Sequence, residues 1–187
     1  MDPTSAVRTD TLPAVATVLV PGAVASGAYI WFGILSVPEV GSFLQTREIL
    51  TTVVLILLWV GIGFVVESTG SYVEVHLIDR RRADHDKMVK TWWQYLRLAW
   101  INEPVGQRYL RKLLVGFKFE LNMFTASVFA IPGVLLLKCG DHVASRTFYG
   151  LFVGFVVAAC LFFYFAKDTA SVLATVRKEL ARGIIKK

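Results

Sequence analysis

Two long stretches of this sequence contain no charged residue. Residues 49–66 (ILTTVVLILLWVGIGFVV) and residues 148–166 (FYGLFVGFVVAACLFFYFA) are both apolar almost throughout. A helix needs about 20 apolar residues to cross the hydrocarbon core of a bilayer, so both runs have the length of a transmembrane helix. Two further apolar runs, 12–37 and 121–137, are of similar length although they contain proline and glycine. The sequence therefore predicts an all-α integral membrane protein with four transmembrane helices.

The alternative is a soluble protein in which the four helices form a buried core. The chain has 187 residues, of which 55% are hydrophobic and 18% charged, whereas soluble domains carry about a quarter charged residues. A chain of this length lacks the polar segments needed to surround four apolar helices. The first run is also too long for the apolar part of a signal peptide. We therefore favour the membrane protein.

The basic residues indicate how the chain is oriented. If both termini are cytoplasmic, 17 of the 20 lysines and arginines lie on the cytoplasmic side, and the other three are Arg47, Lys138 and Arg146. This asymmetry is what the positive-inside rule requires. The sequence thus predicts a multi-pass protein of the plasma membrane with cytoplasmic N- and C-termini. Cys139 and Cys160 should lie at different depths, so we expect no disulfide between them.

The predicted spans divide the chain into four parts. Residues 1–66 form an N-terminal transmembrane hairpin after a short polar tail, and residues 121–166 form a C-terminal one. Between them, residues 67–120 form a cytoplasmic or interfacial helical region. No proline follows the run 49–66 closely, so we expect the second and third transmembrane helices to extend into a cytoplasmic helical hairpin. Residues 167–187 continue the fourth helix as a basic cytoplasmic segment. The external loops, 38–48 and 138–146, are short.

The first transmembrane helix is unusual because it contains proline inside an apolar run. Pro21 removes a backbone donor, and in lipid the carbonyl that loses its partner must be satisfied by a neighbouring helix, a side chain or water. Small residues such as Ala23 and Gly27 let another helix approach closely. This helix is therefore expected to face protein or a cavity. Both a kinked, packed helix and a helix that lines a pore remain open.

Several small and polar residues are candidates for a pore or its gate. Charges at a membrane edge usually pair with one another, and that is one interpretation. The other is a ring at the cytoplasmic mouth of a pore, where polar residues set selectivity. The pore or gate candidates are Ser26, Gly27, Glu67, Ser71, Glu74, Glu120 and Asn122.

The cytoplasmic region combines aromatic and basic residues. The segment 87–100 has the pattern of an amphipathic helix in the membrane interface, although aromatic and basic residues together also bind single-stranded nucleic acid. The predicted interface anchors are Trp92, Trp93, Tyr95 and Trp100. Basic residues on this side can bind lipid headgroups or another anion. The candidates for this role are Arg80, Arg81, Arg82, Arg108, Arg111 and Lys112.

The sequence gives no support to catalysis. It contains neither a phosphate-binding glycine loop nor a nucleophile elbow, and its three histidines lack the spacing of a metal site. We therefore expect no enzyme activity, no metal and no cofactor. The spans carry almost no ionisable groups, which also disfavours a proton-coupled transporter.

Two functions of different classes fit a small protein with four transmembrane helices. The first is a homo-oligomeric channel or pore that a ligand or partner gates from the cytoplasm. The second is a non-conducting anchor or sensor that recruits a cytoplasmic protein through residues 67–120. The expected partners are the lipid bilayer, further copies of the chain, and a cytoplasmic protein or a nucleotide-type signal.

The layout of the chain resembles the small multi-pass membrane effectors of bacterial anti-phage defence systems. The resemblance covers the whole architecture: a short polar tail, four spans, both ends inside and one basic cytoplasmic hairpin. It implies a bacterial inner membrane protein in antiviral defence. It also implies membrane depolarisation as the output, and a cytoplasmic signal that meets the basic residues named above.

Overall fold

The structure, a computed structural model, describes residues 3–79 and 105–185. These residues form five α-helices and no strand, so the predicted all-α class is confirmed for the described part of the chain. The helices are α1 (Pro3–Ser36), α2 (Pro38–Thr46), α3 (Glu48–Val73), α4 (Val105–Cys139) and α5 (Ser145–Ile185). A π-helical segment, Glu74–Asp79, continues α3.

Four of these helices are long and apolar enough to cross a membrane. The apolar segments are Val15–Ser36, Glu48–Ile78, Tyr109–Cys139 and Ser145–Val176. Their number and order match the four spans that the charge-free runs predict. Length and composition of this kind are typical of a multi-pass membrane protein.

Two segments differ from the sequence-based prediction. The N-terminal tail is helical from Pro3 onward, because proline is well tolerated at the first helical position, where its missing N–H is not needed. The predicted external loop 38–48 contains α2, which has Pro38 at its start and nine residues. In the predicted cytoplasmic hairpin, α4 runs unbroken from Val105, while residues 80–104 lie outside the described ranges.

Each long helix runs antiparallel to the next one in the chain, so that α1 and α4 run parallel, and the chain connections lie at two ends of the bundle. The "α2 end" contains α2 and residues 140–144, and the "terminal end" contains the start of α1, the end of α3, the start of α4 and the end of α5. Contacts between helices confirm this arrangement. At the α2 end, the Ser36 hydroxyl lies 3.0 Å from Nε2 of His142.

Helix α4 is the centre of the bundle. It packs against α1, α3 and α5, whereas α5 packs mainly against α4. Half of the most apolar stretch of α4 is buried inside the chain, compared with 11% for α3 and 6% for α5. Most residues in the apolar stretches of α3 and α5 are therefore not buried by the described part of the chain.

Two clusters of buried side chains hold α4 in place. One joins α4 to α5 and is built from Phe117 and Leu121 against Ala166, Ala170 and Leu173. The other joins α1, α3 and α4 through a small core of Ala25, Val66 and Ala126. Small side chains allow three backbones to approach closely, which is how helices pack in lipid.

Helices α1 and α3 cross at two glycines, Gly22 and Gly63, which we call the glycine crossing. A Cβ atom on Gly22 would overlap the Trp59 carbonyl oxygen and lie 2.9 Å from the backbone nitrogen of Gly63. A Cβ atom on Gly63 would overlap the Val18 carbonyl oxygen. Each helix thus presents a glycine to the backbone of the other, and no larger residue fits at either position.

Exposed aromatic side chains occur at both ends of the bundle. Trp31 and Tyr149 are 62% and 64% exposed near the α2 end, and Tyr72 and Tyr164 are 63% and 66% exposed toward the terminal end. The 15 positions from Tyr149 to Tyr164 along α5 correspond to about 22 Å of helix. Tyrosine and tryptophan prefer the two membrane–water interfaces. Their spacing along the bundle fits a bilayer.

Candidate functional site

Pro21 creates an unusual polar contact inside the bundle. Because proline has no N–H, it removes the donor that would normally bond the Thr17 carbonyl four residues earlier. The side chain of Asn122 on α4 supplies a replacement: its Nδ2 donates to the Thr17 carbonyl oxygen at 3.0 Å. The sequence predicts that a carbonyl freed by proline in this helix must find a partner. Asn122 is that partner.

The other side of Asn122 faces α3. Asn122 is 2% exposed, and its Oδ1 would lie 2.8 Å from a Cβ atom placed on Gly70. Glycine at position 70 therefore makes room for the amide. The neighbouring Thr125 is also buried, and its hydroxyl donates to the Leu121 carbonyl of its own helix at 3.0 Å. We call Thr17, Gly70, Asn122 and Thr125 the polar crossing, since α1, α3 and α4 meet there.

An ion pair joins α3 to α4 near the polar crossing. Nζ of Lys118 lies 3.6 Å from Oε1 of Glu67, and the two side chains are 40% and 30% exposed. For Glu67, the structure agrees with the interpretation that charges at the membrane edge pair with one another. Charged groups inside a membrane protein are typically paired in this way.

Glu120 faces a different helix. It lies two residues after Lys118 on α4 but interacts with α5, where it bonds to the Thr169 side chain and lies near Asp168. Its second carboxylate oxygen, Oε2, is buried without a hydrogen-bond partner among the described residues. The candidates on α4 therefore serve separate interfaces: Asn122 meets α1 and α3, and Glu120 meets α5.

The remaining pore or gate candidates are spread over the bundle. Ser26 is 2% exposed, and its hydroxyl donates to the Gly22 carbonyl of its own helix at 2.8 Å. Gly27 is exposed, with open space around its Cα. Ser71 and Glu74 are half-buried at the end of α3. A single copy of the chain does not bring these residues together on one surface.

Most of the predicted binding residues lie outside the described part of the chain. These are Arg80, Arg81, Arg82, Trp92, Trp93, Tyr95 and Trp100. Arg108 is described only by its backbone, at the start of α4. Arg111 and Lys112 are exposed one turn later, which places two basic side chains of the predicted set at the terminal end.

An apolar groove opens on the surface between α1, α3 and α4. It has a volume of about 400 Å³. The residues that line it are Ala25, Ser26, Tyr29, Ile30, Leu58, Ile62 and Phe129. Its two hydroxyls are both engaged, since Tyr29 donates to the Phe129 carbonyl at 2.9 Å and Ser26 donates within its own helix. The groove suits an apolar chain and offers no lining for an ion.

The structure draws attention to a feature of α5 that the sequence-based list of candidates lacks. Gly150 and Gly154 are exposed, and a Cβ atom on either would meet nothing within 4 Å. At 100° per residue they lie opposite the face that packs on α4. With Ala158 they form a stripe of small residues at intervals of four. This spacing is readable from the sequence alone.

Comparison with known proteins gives no match: no family model, no curated protein and no solved structure is similar to this chain. Its function must therefore be inferred from its own residues.

Proposed function

We propose that the protein is a homo-oligomeric channel or pore-forming effector of the bacterial inner membrane, gated from the cytoplasm by a ligand or partner. The terminal end of the bundle is the cytoplasmic end in this proposal, because the excess of lysine and arginine lies there. A role in anti-phage defence is part of the proposal, on the basis of the layout of the chain. Depolarisation of the membrane would be its output.

The observation that carries the proposal is the uneven coverage of the four spans. Half of the most apolar stretch of α4 is buried within the chain, whereas only 6% of the corresponding stretch of α5 is buried. The face of α5 that points away from α4 presents Gly150 and Gly154. The glycine crossing between α1 and α3 illustrates how this chain joins helices by backbone contact at glycine. A second copy can approach α5 in the same way.

A conduction path in this proposal lies between copies. Within one copy, the side chains of Ser26 and Asn122 are buried and hydrogen-bonded, and the groove near Ser26 is apolar. The glutamate of the Glu67–Lys118 pair keeps 30% of its side chain exposed. Glu67 thus combines a charge with access to the surface, and we assign it to the mouth of the channel.

Planar bilayer recording with purified protein tests the proposal. Discrete conductance steps are expected, and Glu67→Gln should change their size or ion selectivity. Gly154→Leu should abolish them and reduce the oligomer to smaller species in light scattering. Val153→Leu, on the neighbouring exposed position, is the control. Because a Cβ atom at position 154 meets nothing within 4 Å in one copy, we expect the substitution to leave the fold of a single copy intact. Silent bilayers with intact oligomers would refute the channel.

One observation favours the alternative, a non-conducting anchor that recruits a cytoplasmic protein through residues 67–120. In a single copy Asn122 of the polar crossing is buried and the groove is apolar, while Arg111 and Lys112 are exposed where such a partner would bind. Cross-linking in cells distinguishes the two functions. An anchor predicts a cytoplasmic protein attached near position 112 in the absence of current.

A further inference from the structure

We infer that α2 is an interfacial helix: it lies flat at the membrane surface at the α2 end and inserts Val40 and Phe43 between the lipid chains. The partner of this surface is the headgroup region of the bilayer that the chain itself spans. The inference concerns how the bundle is held at that surface and does not depend on whether the protein conducts.

The residues of α2 separate into two faces. At 100° per residue, Val37, Val40, Phe43 and Leu44 fall on one half of the helix, and the polar residues fall on the other. The polar half contains Glu39, Ser42, Gln45 and Thr46. A short helix with this division between faces is typical of segments that lie in the membrane interface.

Within the described part of the chain, two side chains of the apolar face of α2 are exposed. Val40 is 39% exposed and Phe43 is 46% exposed. Gly41, at the edge of this face, approaches α1: a Cβ atom on Gly41 would lie 3.7 Å from the Ile34 carbonyl oxygen. The remaining apolar side chains therefore need another apolar environment, because exposing them to water is unfavourable.

Contacts of α2 with both neighbouring helices fix its depth. Gly41 lies beside Ile34, in the last turn of the apolar segment of α1, which ends at Ser36. The Thr51 hydroxyl, in the first turn of α3, donates to the Leu44 carbonyl at 3.2 Å. Helix α2 is thus level with the final turns of two spans and cannot extend outward into water.

The surface around α2 is continuous with the lipid-facing surface of the bundle. Leu35 at the end of α1 is 41% exposed, and Ile49 at the start of α3 is 84% exposed. Arg47 follows α2, and its guanidinium carbon lies 5.7 Å from the centre of the Phe43 ring. An arginine in this position can pack its stem on the ring and reach a lipid phosphate with its charge. This combination specifies a phospholipid surface.

Spin-label accessibility tests the inference. Single cysteines are placed at Val40 and Phe43, and at Ser42 and Thr46 as controls on the polar face, in a Cys139→Ser, Cys160→Ala background. Each variant is labelled, reconstituted into phosphatidylethanolamine and phosphatidylglycerol vesicles, and checked by circular dichroism for intact helix content. Power saturation then compares collisions with oxygen, which partitions into lipid, and with a water-soluble nickel chelate.

The expected result is a reversal between adjacent positions. The ratio of oxygen to nickel accessibility should be several-fold higher at position 43 than at position 42, with the label at 43 about 5–10 Å below the headgroups. Nickel access at both Val40 and Phe43 would overturn the inference, because α2 would then lie in water. The inference would also be overturned if labels at these positions were shielded from both reagents and their spectra were broadened by a neighbouring label. A second copy would then cover the face.

Discussion

The glycine crossing leads to a prediction that compares one substitution at two glycines of the same helix. Gly22→Ala adds a methyl group that would overlap the Trp59 carbonyl oxygen and lie 2.8 Å from its carbon. These are backbone atoms of α3, so no rotamer change can relieve the overlap. Gly27→Ala adds the same methyl group five residues later, where nothing lies within 4 Å.

The size of the difference follows from two opposing effects. Replacing glycine by alanine inside a helix stabilises the helix by about 1 kcal/mol at either position. Overpacking a well-packed core lowers the free energy of unfolding by about 1–3 kcal/mol. An overlap with backbone atoms should have an effect at the upper end of this range. We therefore expect Gly22→Ala to lower the free energy of unfolding by about 2 kcal/mol and Gly27→Ala to raise it by up to about 1 kcal/mol. The equilibrium constants for unfolding of the two variants should therefore differ by about a hundredfold.

This difference can be measured by reversible unfolding of the monomeric protein in mixed micelles. Sodium dodecyl sulfate is titrated in, and circular dichroism reports the loss of helix. Gly116→Ala on α4 is a second control, because its added methyl group also meets nothing within 4 Å. If Gly22→Ala proves as stable as Gly27→Ala, then α1 and α3 do not touch at Gly22 and the arrangement of the bundle described above is wrong.

Three further comparisons test the polar contacts in the same assay. Asn122→Ala should lower the free energy of unfolding by about 1–2 kcal/mol, because it removes the donor to the carbonyl that Pro21 frees. Thr125→Val should lower it by less than about 0.5 kcal/mol. Equal losses would argue against the contact between α1 and α4. Lys118→Met should destabilise more than Lys118→Met combined with Glu67→Gln, since the single change leaves a carboxylate without its cation; strict additivity would show that the pair is not formed. Tyr29→Phe should cost about 0.5–1 kcal/mol through its lost hydrogen bond, and no change would mean that its hydroxyl bonds elsewhere.

The sequence predicts the spans well because lipid imposes one dominant requirement on them. An apolar run of sufficient length without charge has few alternatives to a transmembrane helix. For the same reason, the sequence shows that the carbonyl freed by Pro21 needs a partner. It does not show that Asn122 is this partner, because that pairing depends on which helices become neighbours and at what height.

Close contacts between helices were harder to foresee for a related reason. Ala23 and Gly27 form a small-residue pair in the sequence, but α3 approaches Gly22 and leaves Gly27 open. Which glycine is used depends on the rotation of α1 about its axis. Helix α2 was missed because a nine-residue segment that contains proline and glycine is typical of a loop. Its two-sided pattern becomes informative only once its ends are tied to the spans.

The central position of α4 has a consequence for how the chain is made. Ribosomes deliver helices in chain order, so α1 and α3 enter the membrane before the helix that binds both of them. Until then α1 and α3 contact each other, at the glycine crossing among other places, without support from α4. The Thr17 carbonyl meanwhile lacks its donor, Asn122. When α4 inserts, the side-chain amide of Asn122 donates to the Thr17 carbonyl of α1 and packs against Gly70 of α3. Separation of the first two spans in the lipid would therefore be a specific hazard during biogenesis. Variants that weaken the glycine crossing should be degraded early, before α4 packs against α1 and α3.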